Sequence, residues 1–229
     1  MAQDTSDKSQ SFNASAAPPA SEITRFFKAV ENNDSVTMLS LLMAWPRDAT
    51  KWKNGDGMTG LMMSAQAGYR EVSWLLIHAN KEDLEIGNQN ESTALMFAAH
   101  YGKASIVAML LEAGANVNHA NKNGHTALIS AAANGFKNTT DQLLKYNADT
   151  TLTDLKGDDA LAYAKENKNA DIAEMIVKAA AEQAEAKARA AELNRPVEPV
   201  KPNLSPVWDD NSEAIEALRK AMVKGKLTK

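Results

Sequence analysis

The sequence has no cysteine in 229 residues, and aromatic residues make up only 6% of it. The absence of cysteine excludes disulfide scaffolds, thiolate-based zinc sites and catalysis by a thiol. No run of about eighteen apolar residues occurs, so we expect no segment to insert into a membrane. The formal net charge is only -4, which gives no electrostatic reason to predict a nucleic-acid partner.

Side chains suited to catalysis or metal binding form no recognisable set either. The chain has four histidines, His78, His100, His119 and His125. No two of them stand at His-x-x-x-His spacing, which argues against a zinc site. Asp154, Asp158 and Asp159 surround Gly157, but the alternating ligands and closing glutamate of a calcium loop are missing. We therefore predict a protein that is not an enzyme, with no cofactor, no metal and no small-molecule substrate.

Residues 1–20 are rich in Ser, Ala, Asp and Pro, and we expect them to be disordered. They lack the apolar stretch of a signal peptide. Met1-Ala2-Gln3 resembles a mature N-terminus that follows a removed signal, with a start methionine added. We accordingly expect a periplasmic protein if a signal precedes Ala2, and a cytoplasmic protein otherwise.

One sequence unit recurs four times. Its most similar strings are Met58-Thr59-Gly60-Leu61, Ser92-Thr93-Ala94-Leu95, His125-Thr126-Ala127-Leu128 and Asp158-Asp159-Ala160-Leu161. Their starts lie 34, 33 and 33 residues apart. Two further series keep the same step: one of paired aliphatic residues, and one of glycine, in which Lys168 takes the fourth place. Three series with one period indicate an array of repeated structural units.

Each copy reads as a helix, a turn, a second helix and an extended loop. In the second copy, we expect Thr93 to cap the first helix through its hydroxyl and Gly102 to end that helix with a positive φ. Leu110-Leu111 belongs to the buried face of the second helix, which Gly114 closes. One such unit cannot bury its apolar face alone, so the copies must stack.

These residues resemble the ankyrin-repeat family, as it occurs in bacterial proteins. The family pattern is Thr-x-Leu, paired alanines, a glycine that closes the first helix, Leu-Leu and Gly-Ala-x-Val-Asn, and residues 90–118 match it best. The resemblance covers Gly55 to about Ala179 and implies an all-α solenoid of stacked helix-turn-helix units with β-turn loops. The family's loop-tying histidine is absent from the repeats. Met62, Met96, Ile129 and Ala162 take its place, so we expect the loops to be less rigidly pinned.

We predict about five repeats in residues 21–179. Their boundaries are 21–53, 54–87, 88–120, 121–153 and 154–179. The first is a degenerate capping repeat, in which Ser21 and Thr24 offer capping side chains and Trp45-Pro46 ends the second helix. A C-terminal helical extension follows, because residues 180–194 are rich in helix-forming Ala, Glu, Lys and Arg. Residues 195–210 are expected to form a proline-rich linker, and residues 211–229 an amphipathic helix.

The resemblance implies that the hairpin tips and the solvent side of each first helix make a concave face that binds another protein. The positions carried over are Trp52, Met58, Gln66, Asn90, Ser92, His100, Tyr101, Asn123, His125, Asn134, Asp158 and Glu166. We expect Trp52 and Tyr101 to be the main anchors, because rigid aromatic side chains often dominate binding energy. Trp74 lies on the outer side of a second helix, where we expect it to pack under Trp45; a back-side contact is the alternative.

The C-terminal segment offers a second apolar surface. It consists of Trp208, Ile215, Leu218 and Met222. We expect this surface to fold back onto the repeats, or else to form a detachable helix that binds a partner.

The predicted function is therefore non-enzymatic binding of another protein, which we expect to be an enzyme. One concrete version is an inhibitor, or immunity protein, of a periplasmic cell-wall enzyme. The alternatives are a scaffold or assembly factor, and a host-directed bacterial effector. The free protein is expected to be monomeric.

Overall fold

The computed structural model describes residues 18–46 and 48–193, except the side chains of 191–193. Within these ranges the chain forms ten α-helices and no strand. They are α1 (Ala20–Glu31), α2 (Ser35–Ala44), α3 (Gly60–Ala67), α4 (Arg70–Ala79), α5 (Ala94–His100), α6 (Ala104–Glu112), α7 (Ala127–Ala133), α8 (Lys137–Lys145), α9 (Ala160–Glu166) and α10 (Ala170–Leu193). Ala49–Lys51 and Lys81–Glu85 are short 3₁₀ helices. The predicted all-α solenoid of helix-turn-helix units is confirmed.

The helices stack in two layers within residues 1–185, the first of the chain's two compact units. The first helices α1, α3, α5, α7 and α9 contact one another in order, and α2, α4, α6 and α8 form the second layer. The first helices approach closely because alanines such as Ala65, Ala99 and Ala132 are fully buried between them. Each fully buried leucine, such as Leu95, contributes about 1.5–3 kcal/mol to stability.

In the second unit, residues 186–229, the described residues 186–193 are helical. The predicted linker, the predicted helix 211–229 and nearly all of the segment 1–20 lie outside the described residues. No helix in the described part of the chain combines the length and apolar character needed to cross a bilayer.

The turn inside each repeat needs a left-handed residue. Gly68, Gly102 and Gly135 have φ of 89°, 67° and 75°, and Lys168 adopts 60° in the fifth repeat. The predicted role of Gly102 is confirmed. A Cβ atom at Gly102 would lie 2.5 Å from the ring of Phe136. Both this close contact and the positive φ therefore disfavour a side chain at this position.

Helix capping differs between the repeats. The side chains of Thr59, Thr126 and Asp159 accept a hydrogen bond from the backbone N–H three residues later. Thr93 occupies the same position, but its hydroxyl is buried and makes no hydrogen bond, so the prediction that it caps α5 is wrong. The threonine hydroxyl lies in the interior and does not reach the free N–H groups of the helix.

The start of the first repeat also departs from expectation. Helix α1 begins at Ala20 with Pro19 at the capping position, so Ser21 lies inside the helix. The hydroxyl of Thr24 donates to the carbonyl of Ala20 at 2.9 Å, which satisfies it within the helix. Neither side chain caps α1, contrary to the prediction.

A cluster of aromatic rings closes the first repeat. The ring of Trp52 lies 5.3 Å from that of Phe26 and 6.2 Å from that of Trp45. Trp52 is only 8% exposed, so its predicted role as an exposed anchor is wrong. Trp74 is 51% exposed on α4 and stacks on His78 at 4.2 Å. The expected packing of Trp74 under Trp45 is therefore wrong as well.

Helix α10 is tied to the preceding repeat through Gln183. Its side-chain N–H donates to the carbonyl of Ala148 at 2.7 Å, and its oxygen accepts from the hydroxyl of Thr150 at 3.2 Å. The helix continues past the expected end of a repeat because its sequence contains no glycine or proline up to Leu193.

Candidate functional site

Each hairpin is organised by one polar side chain. Its oxygen accepts backbone N–H groups from the residues two and four positions later, at 2.8–3.1 Å. The four side chains are Asn54, Asn88, Asn121 and Asp154. The residue four positions later is in each case a predicted binding residue, namely Met58, Ser92, His125 or Asp158. The sequence analysis missed this series, although it follows the same steps of 34, 33 and 33 residues.

Further hydrogen bonds join successive hairpins. The side chain of Asn121 donates to the hydroxyl of Ser92 at 3.0 Å, and the backbone of Lys122 donates to the carbonyl of Asn90 at 3.1 Å. The ring of His119 contacts the carbonyl of Glu91 at 2.8 Å. These hydrogen bonds link successive hairpins without the histidine that the family pattern uses.

Four predicted residues form one line across three repeats, at the ends of the first helices. Gln66 lies 3.2 Å from the hydroxyl of Tyr101, whose ring meets that of His100 edge to face at 4.9 Å. The amide nitrogen of Asn134 lies 3.2 Å from Nδ1 of His100. The structure thus brings these four residues together on a surface that we call the hairpin face.

The hydrogen bonds of Asn134 indicate which ring nitrogen of His100 is the acceptor. The amide nitrogen of Asn134 also donates to the carbonyl of Ser130 at 2.8 Å, which identifies it as the donor toward the histidine. Nδ1 of His100 is the acceptor in this contact, which places the ring proton on Nε2. Nε2–H has no partner among the described residues and is free to donate to a ligand.

Ser92 provides a second free donor by the same reasoning. The side-chain oxygen of Asn121 accepts the backbone N–H groups of Asn123 and His125. The NH₂ group of Asn121 is therefore the donor to the Ser92 oxygen. The hydroxyl proton of Ser92 has no partner among the described residues and is available to a ligand.

The fourth hairpin holds an ionised carboxylate. Oδ2 of Asp154 accepts from the Tyr163 hydroxyl at 2.7 Å and lies 3.2 Å from Nε2 of His125. The tyrosine bond is the largest cause that lowers the pKa of Asp154 to about 2; backbone N–H groups and His125 act in the same direction, against the effect of burial. The same bond raises the pKa of Tyr163 to about 12. Asp154 orients His125 so that Nδ1 is left without a partner in the described chain.

Two clefts flank Tyr101 on the hairpin face. The smaller, about 240 Å³, is lined by Ser92, Met96, Phe97, His100, Tyr101, Asn121, His125 and Ser130. The larger, about 620 Å³, is lined by Val30, Glu31, Asn54, Asp56, Met58, Met63, Gln66, Ala67, Tyr69 and Tyr101. Tyr101 is 42% exposed and borders both, so a partner that enters either cleft must contact its ring.

The remaining predicted residues lie at the edges of this arrangement. Asn123 is exposed, and its carbonyl accepts from the backbone of Leu155 at 3.0 Å. Asp158 is half-buried in the last hairpin, and Glu166 is exposed at the end of α9. Trp52 is not part of the face. Trp208, Ile215, Leu218 and Met222 lie outside the described residues.

Sequence reasoning missed the apolar floor of the smaller cleft, Met96 and Phe97. Met96 stands where the family carries its loop-tying histidine, and that substitution was the available signal. Exposed Leu155, at the tip of the last hairpin, was also missed. In the described ranges, no three acidic or histidine side chains come close enough to hold a metal ion.

Comparison with known proteins agrees with the repeat fold. A family model for ankyrin repeats (3 copies) matches residues 26–121 and 113–188. The chain is 40% identical over 63 residues to the ankyrin repeat and KH domain-containing protein mask of Drosophila melanogaster, which covers 28% of this chain and 2% of that protein. It is 30% identical over 95 residues to the photoreceptor ankyrin repeat protein of Homo sapiens, covering 41% and 21%.

The chain spans about a fifth or less of the length of these curated relatives. Ankyrin repeats are generally protein–protein interaction modules and are typically non-enzymatic. Because the family model matches well over half of its residues, this chain belongs to the ankyrin-repeat family.

Proposed function

We propose that this protein binds a partner protein through the hairpin face, with a hydrogen-bond-accepting side chain of the partner seated in the smaller cleft. The free donors at the cleft carry this proposal. Ser92 and His100 both line this cleft, and no acidic side chain lines it. A ligand that displaces water from these donors has to replace the lost hydrogen bonds with acceptors of its own.

The floor of the cleft favours a side chain with an apolar stem. Met96 and Phe97 lie beneath the polar rim. A glutamate or aspartate side chain satisfies both requirements, because its methylene groups meet the floor and its oxygens meet the donors. Tyr101 then packs against the partner beside the inserted side chain, as a rigid aromatic anchor.

In its specific form, the proposal is that the partner is an enzyme of the cell envelope, which this protein inhibits. The typical binding role of the family and the clustering of recognition groups on one face support binding of a protein. A cell-wall hydrolase acting in the periplasm is the expected target.

The proposal is tested by capture with the full-length tagged chain from envelope and cytosolic fractions, followed by mass spectrometry. We expect Tyr101→Ala to lower the recovery of the specific partner at least tenfold, which corresponds to about 1.4 kcal/mol of binding energy. Tyr146→Ala is the matched control, because Tyr146 is 37% exposed and lies on α8's end, away from the clefts. Equal recovery by both variants would overturn the proposed surface.

Two further measurements separate the parts of the proposal. Ser92→Ala should weaken binding to the captured partner, and substitution of one acidic residue of that partner by its amide should weaken it to a similar degree. The activity of the captured enzyme is then measured with rising amounts of the purified chain. Unchanged activity at saturation would reject inhibition while leaving the binding surface intact.

A further inference from the structure

Helix α2 has a second apolar side besides the one that meets the core. Met38, Leu41 and Leu42 are buried in the repeat. Val36, Leu39 and Met43 lie on another side, at positions i, i+3 and i+7, which form one exposed stripe along the helix. An exposed apolar stripe that adjoins further exposed apolar side chains marks a candidate interaction surface.

The stripe continues into an exposed ring on α4. Val36, Leu39, Met43 and Trp74 are each between 48 and 79% exposed. Two adjoining clefts, of about 440 and 350 Å³, are both lined by Leu39, Trp74 and Leu75, so the surface is continuous. We call these four residues and Leu75 the α2–α4 face. It shares no residue with the clefts of the hairpin face.

We propose that the α2–α4 face binds the same face of a second copy of this chain. Its four exposed side chains present roughly 500 Å² of apolar surface, so two copies bury roughly 1,000 Å² together, the area at which specific interfaces begin. The face lies in the layer of second helices, along α2 and α4 of two successive repeats. A second subunit that covers it accounts for its apolar character.

The stripe is compatible with a twofold axis. Its ends, Val36 and Met43, are equally distant from a point between Leu39 and Ser40. When two copies of α2 lie antiparallel around that point, Val36 of each copy meets Met43 of the other, as a self-complementary contact requires. This proposal of a dimer differs from the monomer expected from the sequence, and it does not rest on the proposed function.

The first test is the mass of the full chain by analytical ultracentrifugation over a concentration series. We expect a dimer of the 24.7 kDa chain, and a dissociation constant at least a hundredfold weaker for the double variant Val36→Glu, Met43→Glu. Leu155→Glu with Val177→Glu is the matched control, because it adds the same charges at two other exposed apolar residues. A parent chain that stays monomeric at every concentration overturns the proposal, and so does equal weakening by the control pair.

The second test uses the absence of cysteine and remains valid if the double variant fails to fold. Ser40→Cys places a single thiol next to the proposed axis, and mild oxidation should then give a covalent dimer. Ser105→Cys, at another exposed serine of a second helix, is the control and should stay monomeric. Dimerisation of the parent without a disulfide in Ser40→Cys, or with equal cross-linking in Ser105→Cys, would show that a different face is used.

Discussion

One of the four hairpin side chains is a carboxylate, and the other three are amides. Asp154 carries an oxygen where Asn54, Asn88 and Asn121 carry an NH₂ group. The three asparagines each accept two backbone N–H groups, and Asp154 does the same with one of its two oxygens. The second oxygen is free to receive the Tyr163 hydroxyl and to face His125. The carboxylate of Asp154 therefore has a donor that exists only in its own repeat: the position equivalent to Tyr163 in the preceding repeat is Ser130.

This difference predicts an acid-dependent stability. Asp154 has a folded-state pKa of about 2, below its ordinary value of 3.8, so its ionised form stabilises the fold above pH 3.8. That contribution is lost as the pH falls from 3.8 toward 2. We expect the stability advantage of the parent over Asp154→Asn, measured by urea unfolding, to be constant above about pH 5 and to shrink below it.

The Tyr163 hydroxyl is the largest cause of the lowered pKa, so Tyr163→Phe provides a direct check. In this variant we expect the pKa of Asp154, followed by carboxyl NMR, to move up toward its ordinary value. Asn121→Asp is the matched control. The new carboxylate has no tyrosine partner, so we expect its pKa to be lowered less than that of Asp154. An unchanged pKa in Tyr163→Phe would contradict this account of the fourth hairpin.

Thr93 and Thr126 occupy equivalent positions but have different hydrogen bonds. The hydroxyl of Thr126 accepts from the N–H of Ile129 at 3.2 Å, whereas that of Thr93 is buried without a partner. We expect Thr126→Val to lower the free energy of unfolding by about 1 kcal/mol through loss of the cap. Thr93→Val should leave it unchanged or raise it, because an unsatisfied buried hydroxyl is replaced by a methyl group. Chemical denaturation of both variants measures these free energies of unfolding. An equal decrease in the two variants would contradict the different roles of Thr93 and Thr126.

Helix ends are governed by backbone conformation, and Gly102 is the sharpest case. Gly102→Ala should cost about 1–2 kcal/mol for its left-handed conformation, and about 1–3 kcal/mol more because Phe136 has to move. Gly157→Ala is the control, since Gly157 has φ of 88° but open space around it, and only the first cost applies. Thermal unfolding should rank the two variants in that order. A larger loss for Gly157→Ala would contradict the proposed role of Phe136.

The helices and their period could be predicted from the sequence because both depend on local patterns. Glycine, alanine and leucine recur at fixed steps, and each has one structural meaning in the repeat. The burial of Trp52 depends on Phe26, which lies 26 residues earlier in the sequence, and no local pattern records that contact. The free proton of His100 depends on Asn134, which lies 34 residues away. The repeat register could thus be predicted from the sequence, whereas the hydrogen-bond partners of its side chains required the structure.

At the scale of the whole molecule, a substitution in one repeat of a stack destabilises mainly that repeat and its neighbours. Phe26 is fully buried under Trp52, and Phe26→Ala should cost about 3–5 kcal/mol. Because each repeat contacts only adjacent repeats, we expect amide-exchange protection to fall in α1–α3 and to be largely kept in α7–α9. Ile176→Ala, at the other end of the stack, should give the opposite distribution. Uniform loss of protection in either variant would indicate that the array unfolds as one unit.

The hydrogen bonds between repeats also bear on the speed of folding. In the described chain, side-chain hydrogen bonds that join neighbouring repeats connect residues 28 to 38 positions apart. Every step of assembly therefore closes a loop of similar, moderate length, and no step requires the distant ends of the chain to meet. Such a low contact order is typical of fast folders. Folding can start at any adjacent pair of repeats and spread outward, so the most stable pair, wherever it lies, sets the starting point.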